Sequence, residues 1–105
     1  MDPHLMLSRA DKLHAERCER SVQRHMDTVA QSWSYDDMRA ACTYADEPAV
    51  PQFQAEGAAL RAWRSLCWAA CYQMLNQTIA AGTPRPSVEE VIAALPPVPS
   101  RPEVS

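Results

Sequence analysis

Between Pro51 and Gly82 the chain sets large apolar residues on two sides of what its spacing predicts to be one long helix. Phe53, Leu60, Trp63, Cys67, Ala70 and Met74 form one stripe; Trp68, Tyr72, Leu75 and Ile79 form a second. At about 100° per residue the two stripes fall on roughly opposite sides of the helix. Gln54, Arg61, Ser65, Gln73, Asn76 and Gln77 fill the gaps between them. A surface helix of an ordinary domain needs only one apolar face. This one is therefore either the central element of a small bundle, covered on both sides, or a core element whose second face binds a partner.

The rest of the composition is consistent with a bundle. A chain of 105 residues has room for one modest core. Glycine occurs only twice, at Gly57 and Gly82, too rarely for the many turns of a sandwich or barrel. Six of the nine prolines, from Pro84 to Pro102, crowd the last quarter. The fold class expected is all-α: a small helical bundle with one long central helix, a short capped C-terminal helix and a proline-rich tail.

Local signals place the elements. Residues 4–31 read as helical, but Met6, Ala10 and Leu13 are out of phase with Cys18, Val22, His25, Met26, Val29 and Trp33. No glycine or proline between His14 and Arg17 forces a break, so a continuous helix is expected, its first turns leaning on a partner or a second copy. Ser34 with Asp37 resembles a capping signal for a second helix over about 36–45, ended by Asp46-Glu47-Pro48. Pro51 suits the first turn of the long helix and Gly82 its left-handed end. Ser87-Val88-Glu89-Glu90 is a capping box before Val91, Ile92 and Leu95, and Pro96-Pro97 stops that helix. The expected organisation is an N-terminal helical arm (1–17), a helical domain (18–96) and a flexible proline-rich tail (97–105).

No chemistry-bearing constellation emerges. His14/Cys18 and Cys67/Cys71 share an i,i+4 spacing that could face one another around zinc. Mid-helix cysteines in an apolar stripe are better read as small core hydrophobes, so neither a metal nor another cofactor is expected. The acid pairs Asp36-Asp37 and Glu89-Glu90 are explained by capping, and Asp46-Glu47 by a solvated loop. A His25/Cys42 nucleophile pair lacks an orienting third group. The expectation is no enzyme. Net charge is −3, which sets up no global field for nucleic acid. Arg17, Arg20 and Arg24 share a helix face, but Glu16, Glu19 and Asp27 interleave with them and Glu16→Arg20 suits an i,i+4 pair. A self-paired solvated face is expected there, and nucleic acid is not an expected partner. Asp2, His4, Arg9 and Asp11 break up Leu5-Met6-Leu7, so no secretory segment is expected, and no apolar run reaches the length of a membrane span.

Three pieces in order, VQRHMDTVAQSWSYDDMRAACTYADEP, FQAEGAALRAWRSLCWAACYQML and AAGTPRPSVEEVIAALP, span Val22 to Pro96. In composition and spacing this region resembles small bacteriophage proteins encoded in the tail and tail-fibre region of phage genomes. The departures are Cys67, where the family motif has a short aliphatic residue or alanine, and Ser65, where it has an acid. The resemblance brings no catalytic residues. It implies a tail-associated protein acting by protein–protein contact, as a tail-fibre chaperone or a small structural component at the fibre attachment site. The partner implied is a tail or tail-fibre protein, and a homo-oligomer fits the cyclic symmetry of tails. The setting implied is the host cytoplasm during assembly, or the virion tail if the protein stays in the particle. The competing reading is a small regulatory protein that binds a host protein or nucleic acid. The residues expected to carry partner contact are Trp68, Tyr72, Leu75 and Ile79 on the second stripe, and Met6, Ala10 and Leu13 on the arm.

Overall fold

The computed structural model describes residues 8–104, which form four α-helices and one 3₁₀ turn with no strand among them. The order is α1 (Arg9–Ser32), α2 (Met38–Cys42), the 3₁₀ turn Thr43–Asp46, α3 (Pro51–Ala81) and α4 (Val88–Ala93). The all-α expectation holds. Met6 lies outside the described residues.

α1 begins at a capping box. Ser8 Oγ accepts from the Asp11 backbone N–H at 3.0 Å and the Asp11 carboxylate reaches back to the Ser8 N–H. The helix runs unbroken through His14–Arg17, as the absence of a breaker predicted. Cys18, Val22, Met26 and Ala30 recur every fourth residue and are buried, so they form its core face. Ala10 and Leu13 are exposed, Leu13 to 49%.

The exit from α1 differs from the sequence expectation. Ser34 does not cap α2. It adopts φ 74°, and the N–H groups of Ser34 and Tyr35 donate to Gln31 O and Ala30 O, closing a Schellman turn on α1. Asp37 is the cap of α2, its carboxylate accepting from Ala40 N–H at 2.7 Å. Asp27 of α1 accepts from Met38 N–H, so α2 is tied to α1 at its first turn. The second helix is also shorter than expected, tightening into the 3₁₀ turn at Thr43.

Gly57 lets α3 approach this pair closely. A Cβ there would sit 2.7 Å from Ala41 O and 2.8 Å from Ala45 N. Along α3 the buried residues Glu56, Leu60, Trp63, Cys67, Cys71 and Leu75 line a single face. That corrects the first stripe at its start: Phe53 is 44% exposed. It leans instead on Tyr44, which in turn packs on Tyr35, with ring centroids 5.7 and 5.5 Å apart. At its far end α3 stops at Gly82, φ 66°, as its glycine predicted.

The bundle does not sandwich α3. α4, opened by the expected Ser87/Glu90 capping box, packs on α1. Its Val91 and Leu95 join the core already shared by α1 and α3, and Trp63 Nε1 donates to Pro96 O at 3.0 Å just beyond it. With α1, α2 and α4 gathered on one side of α3, the opposite side has no helix to cover it, and Leu66 there is 58% exposed. The molecule is accordingly long and thin, 50 × 27 × 19 Å, its length close to the ~47 Å that 31 residues of α-helix span.

The 17/18 boundary of the expected arm coincides with no break. Asp11 accepts from Arg85 Nε at 2.8 Å, and His14 Nε2 lies 2.7 Å from Pro86 O, so the start of α1 is joined to the α3–α4 connection. The proline-rich segment, expected to be flexible, has no regular secondary structure and is held at named points. Arg101 Nε donates to Glu56 Oε2 at 2.6 Å, and Gln52 donates to Pro102 O at 2.6 Å.

Candidate protein–protein interface

The second stripe of α3 divides in the structure. Leu75 is buried and Trp68 is half-buried against the core, whereas Tyr72 and Ile79 are exposed. Tyr72, Leu75 and Ile79 together form one wall of a groove of about 560 Å³; Lys12, Ala15, Glu16 and Glu19 of α1 form the other, with Asn76 at the edge. Cys18 and Cys71 are buried in the core that α1 and α3 share, while Ala15, one turn earlier on α1, presents only a methyl group to the groove that Ile79 also lines. Its α1 rim carries two acids, Glu16 and Glu19, and one base, Lys12.

One hydrogen bond spans the groove. Tyr72 Oη donates to Glu19 Oε2 at 2.9 Å. Partial burial, and then the carboxylate it donates to, push the Tyr72 phenol up to about 12, so it stays a neutral donor at physiological pH. Trp68 stacks on the same ring at 5.8 Å and an interplanar angle of 18°, which fixes its plane. Tyr72 thus presents one held aromatic face, with Ile79 two turns along the helix as a second apolar anchor.

Of the residues expected to carry contact, Tyr72, Leu75 and Ile79 come together. Trp68 supports them from behind. Ala10 and Leu13 do not line the groove; helical periodicity turns them to the outer side of α1. Ala10 and Leu13 therefore form a solvent-facing strip and not a second wall of this groove.

The arginine face also differs from its expectation. Among the described residues Arg17, Arg20 and Arg24 are exposed and form no ion pair. The expected Glu16–Arg20 pair does not form, and two of the interleaving acids are engaged elsewhere: Glu19 with Tyr72, and Asp27 with Gln23 and the Met38 N–H.

The thiols are set in the core. Cys18, Cys67 and Cys71 are buried and Cys42 half-buried, all four as free thiols. Burial pushes Cys67 and Cys71 up to about 11. Since a carbonyl can only accept, His14 Nε2 carries its proton toward Pro86 O, with Cys18 Sγ 3.6 Å from the same nitrogen. That nitrogen is committed as a donor, and no group of three metal-ligating side chains occurs among the described residues.

One polar cluster went unread in the sequence. Glu56 is 1% exposed and accepts from Tyr35 Oη at 2.7 Å, Gln52 Nε2 at 2.8 Å and Arg101 Nε. Burial raises its pKa most, but these three donors together outweigh burial and hold the carboxyl below its ordinary value. The available signal was an acid four residues before Leu60, in phase with the core.

No known protein-family model matches this chain, and no similar curated protein or solved structure was found.

Proposed function

We propose that this protein is a non-enzymatic phage tail-associated component acting by protein–protein contact, as a tail-fibre chaperone or a small structural piece at the fibre attachment site. The observation that carries the contact reading is the groove between α1 and α3, with Tyr72 and Ile79 as exposed anchors over the buried Leu75. Aromatic side chains held in a fixed plane are favoured interface anchors because little entropy is lost when they dock. The tail setting rests on the resemblance of residues 22–96 alone. Homo-oligomerisation through the uncovered side of α3 fits the same reading.

Coexpression with a neighbouring tail-fibre or tail-tube gene product tests it. The complex should copurify and depend weakly on salt, since the anchors are apolar. Tyr72→Ala with Ile79→Ala should release the partner while circular dichroism shows the chain still folded. Retention of no tail protein would overturn the reading.

The unpaired row of Arg17, Arg20 and Arg24 on the outer side of α1 favours a second reading, a regulatory protein binding nucleic acid. Its signature is affinity that falls steeply with salt as arginine–phosphate contacts are lost.

A further inference from the structure

Arg101 is held by several contacts at once. Its guanidinium lies 5.9 Å over the Trp33 ring, donates through Nε to the buried Glu56 carboxylate and through Nη2 to Trp33 O at 3.2 Å. The flanking backbone is read by one side chain. Gln52 Nε2 donates to Pro102 O, and Gln52 Oε1 accepts from the Val104 N–H at 2.9 Å. A side-chain amide that pairs with a C=O and with the N–H two residues on selects an extended chain. Proline supplies that geometry in advance.

Two features separate this cluster from a device that merely pins a terminus. An apolar pair would hold the segment at least as well as a buried carboxylate, because removing charge from water offsets much of the attraction. And Glu56 has no substitute cation: Tyr35 and Gln52 satisfy its oxygens, but only Arg101 neutralises its charge among the described residues. With Arg101 withdrawn, the slot holds an uncompensated buried anion beside an aromatic face. The group that satisfies both is another guanidinium. Arg101 itself is 48% exposed at its side chain, so the cation is reachable from solvent while its acceptor is not.

We propose that Trp33, Tyr35, Gln52 and Glu56 form a docking slot for an extended arginine–proline peptide of a partner protein, and that residues 98–104 are an exchangeable occupant in cis. The slot lies apart from the α1–α3 groove and does not depend on the reading given to that groove. Specificity comes from the fork of arginine against a buried carboxylate, which lysine's point charge does not reproduce. The cis segment, tethered close by, acts as a competitor at high effective concentration.

The test uses full-length chains and a fluorescent peptide of residues 96–105, with versions carrying alanine or lysine at the arginine position. Full-length Arg101→Ala, its own anchor removed, should bind the arginine peptide at least tenfold more tightly than the alanine or lysine peptides. The unmodified chain should bind the arginine peptide at least tenfold more weakly than Arg101→Ala does. Circular dichroism establishes that each variant is folded. If Arg101→Ala does not fold, Arg101→Lys, which leaves Glu56 a cation but weakens the cis anchor, takes its place in the same comparison. Glu56→Gln combined with Arg101→Lys should lose the preference for arginine. Equal binding of all three peptides, no binding by the folded variant, or equal affinity for variant and unmodified chain would each overturn the proposal. So would an unmodified dimer, seen by light scattering, that the peptide dissociates; that result assigns the slot to a second copy.

Discussion

Replacing Gly57 by alanine is the sharpest test of how α3 sits on α2, because helix propensity and packing predict opposite signs. In an isolated helix the change should stabilise by about 1 kcal/mol. In this fold the new Cβ would meet Ala41 O at 2.7 Å, Ala45 N at 2.8 Å and the Tyr44 carbonyl carbon at 3.0 Å. Ordinary contact begins near 3.4 Å, so α3 would have to lift by about 0.7 Å over Ala41. All three neighbours are backbone atoms, which cannot rotate aside as a side chain would. Overpacking of this kind costs about 1–3 kcal/mol, and backbone against backbone belongs at the upper end. Subtracting the propensity gain leaves a net destabilisation of about 1–2 kcal/mol. For a domain of this size that lowers the melting temperature by roughly 4–8 °C per kcal/mol. Urea unfolding followed by circular dichroism measures it. Ala58→Gly, on the exposed side of the same turn, is the propensity control and should cost about 1 kcal/mol. A Gly57→Ala chain more stable than its parent would mean that α3 and α2 do not approach as described.

Other perturbations have equally definite signs. Ser34→Gly should raise stability by about 0.5–1 kcal/mol, since an L-residue at φ 74° carries strain that glycine lacks; an unchanged or lower urea midpoint would remove the Schellman turn from this position. Leu75→Ala should cost about 2–5 kcal/mol, whereas Tyr72→Phe, which gives up one exposed hydrogen bond, should cost less than about 1 kcal/mol; only the second is therefore a clean probe of the groove. The Glu56 carboxyl has a lowered pKa in the folded chain, so its contribution is present above the ordinary carboxylate value and is lost as pH falls through the folded one. Glu56→Gln should accordingly flatten the acid limb of a stability–pH curve, and an unchanged limb would contradict the burial of its charge. Cys67 and Cys71 titrate near 11 when folded, so the unfolded chain loses these protons first and stability should decline between about pH 9 and 11; rapid thiol labelling of both at pH 8 in the native protein would refute their burial.

Features that depend on neighbours three or four residues apart were legible in the residues alone. Gly82 at a left-handed helix end and the Ser87/Glu90 capping box are local hydrogen-bonding arrangements, and both stand where the residues put them. So do Cys18, Val22 and Met26 of the α1 stripe, because burial every fourth residue is written into helical geometry; the structure continues that face at Ala30 and leaves His25 and Val29 at its edge. Even local chemistry becomes ambiguous where two caps compete. Ser34 and Asp37 are both good N-cap residues, and only the turn closing α1 decides that serine ends one helix while aspartate begins the next. Which side of α3 is covered depends on long-range packing. Its two apolar stripes are compatible with a sandwich, but the Asp11–Arg85 and His14–Pro86 contacts lead the chain back along α1, so α4 packs there and Tyr72 and Ile79 stay exposed. Glu56 and Arg101 are 45 residues apart, and no period or spacing links them. A buried charge finds its partner through the path of the whole chain, and that path is settled by the sum of the packing contacts.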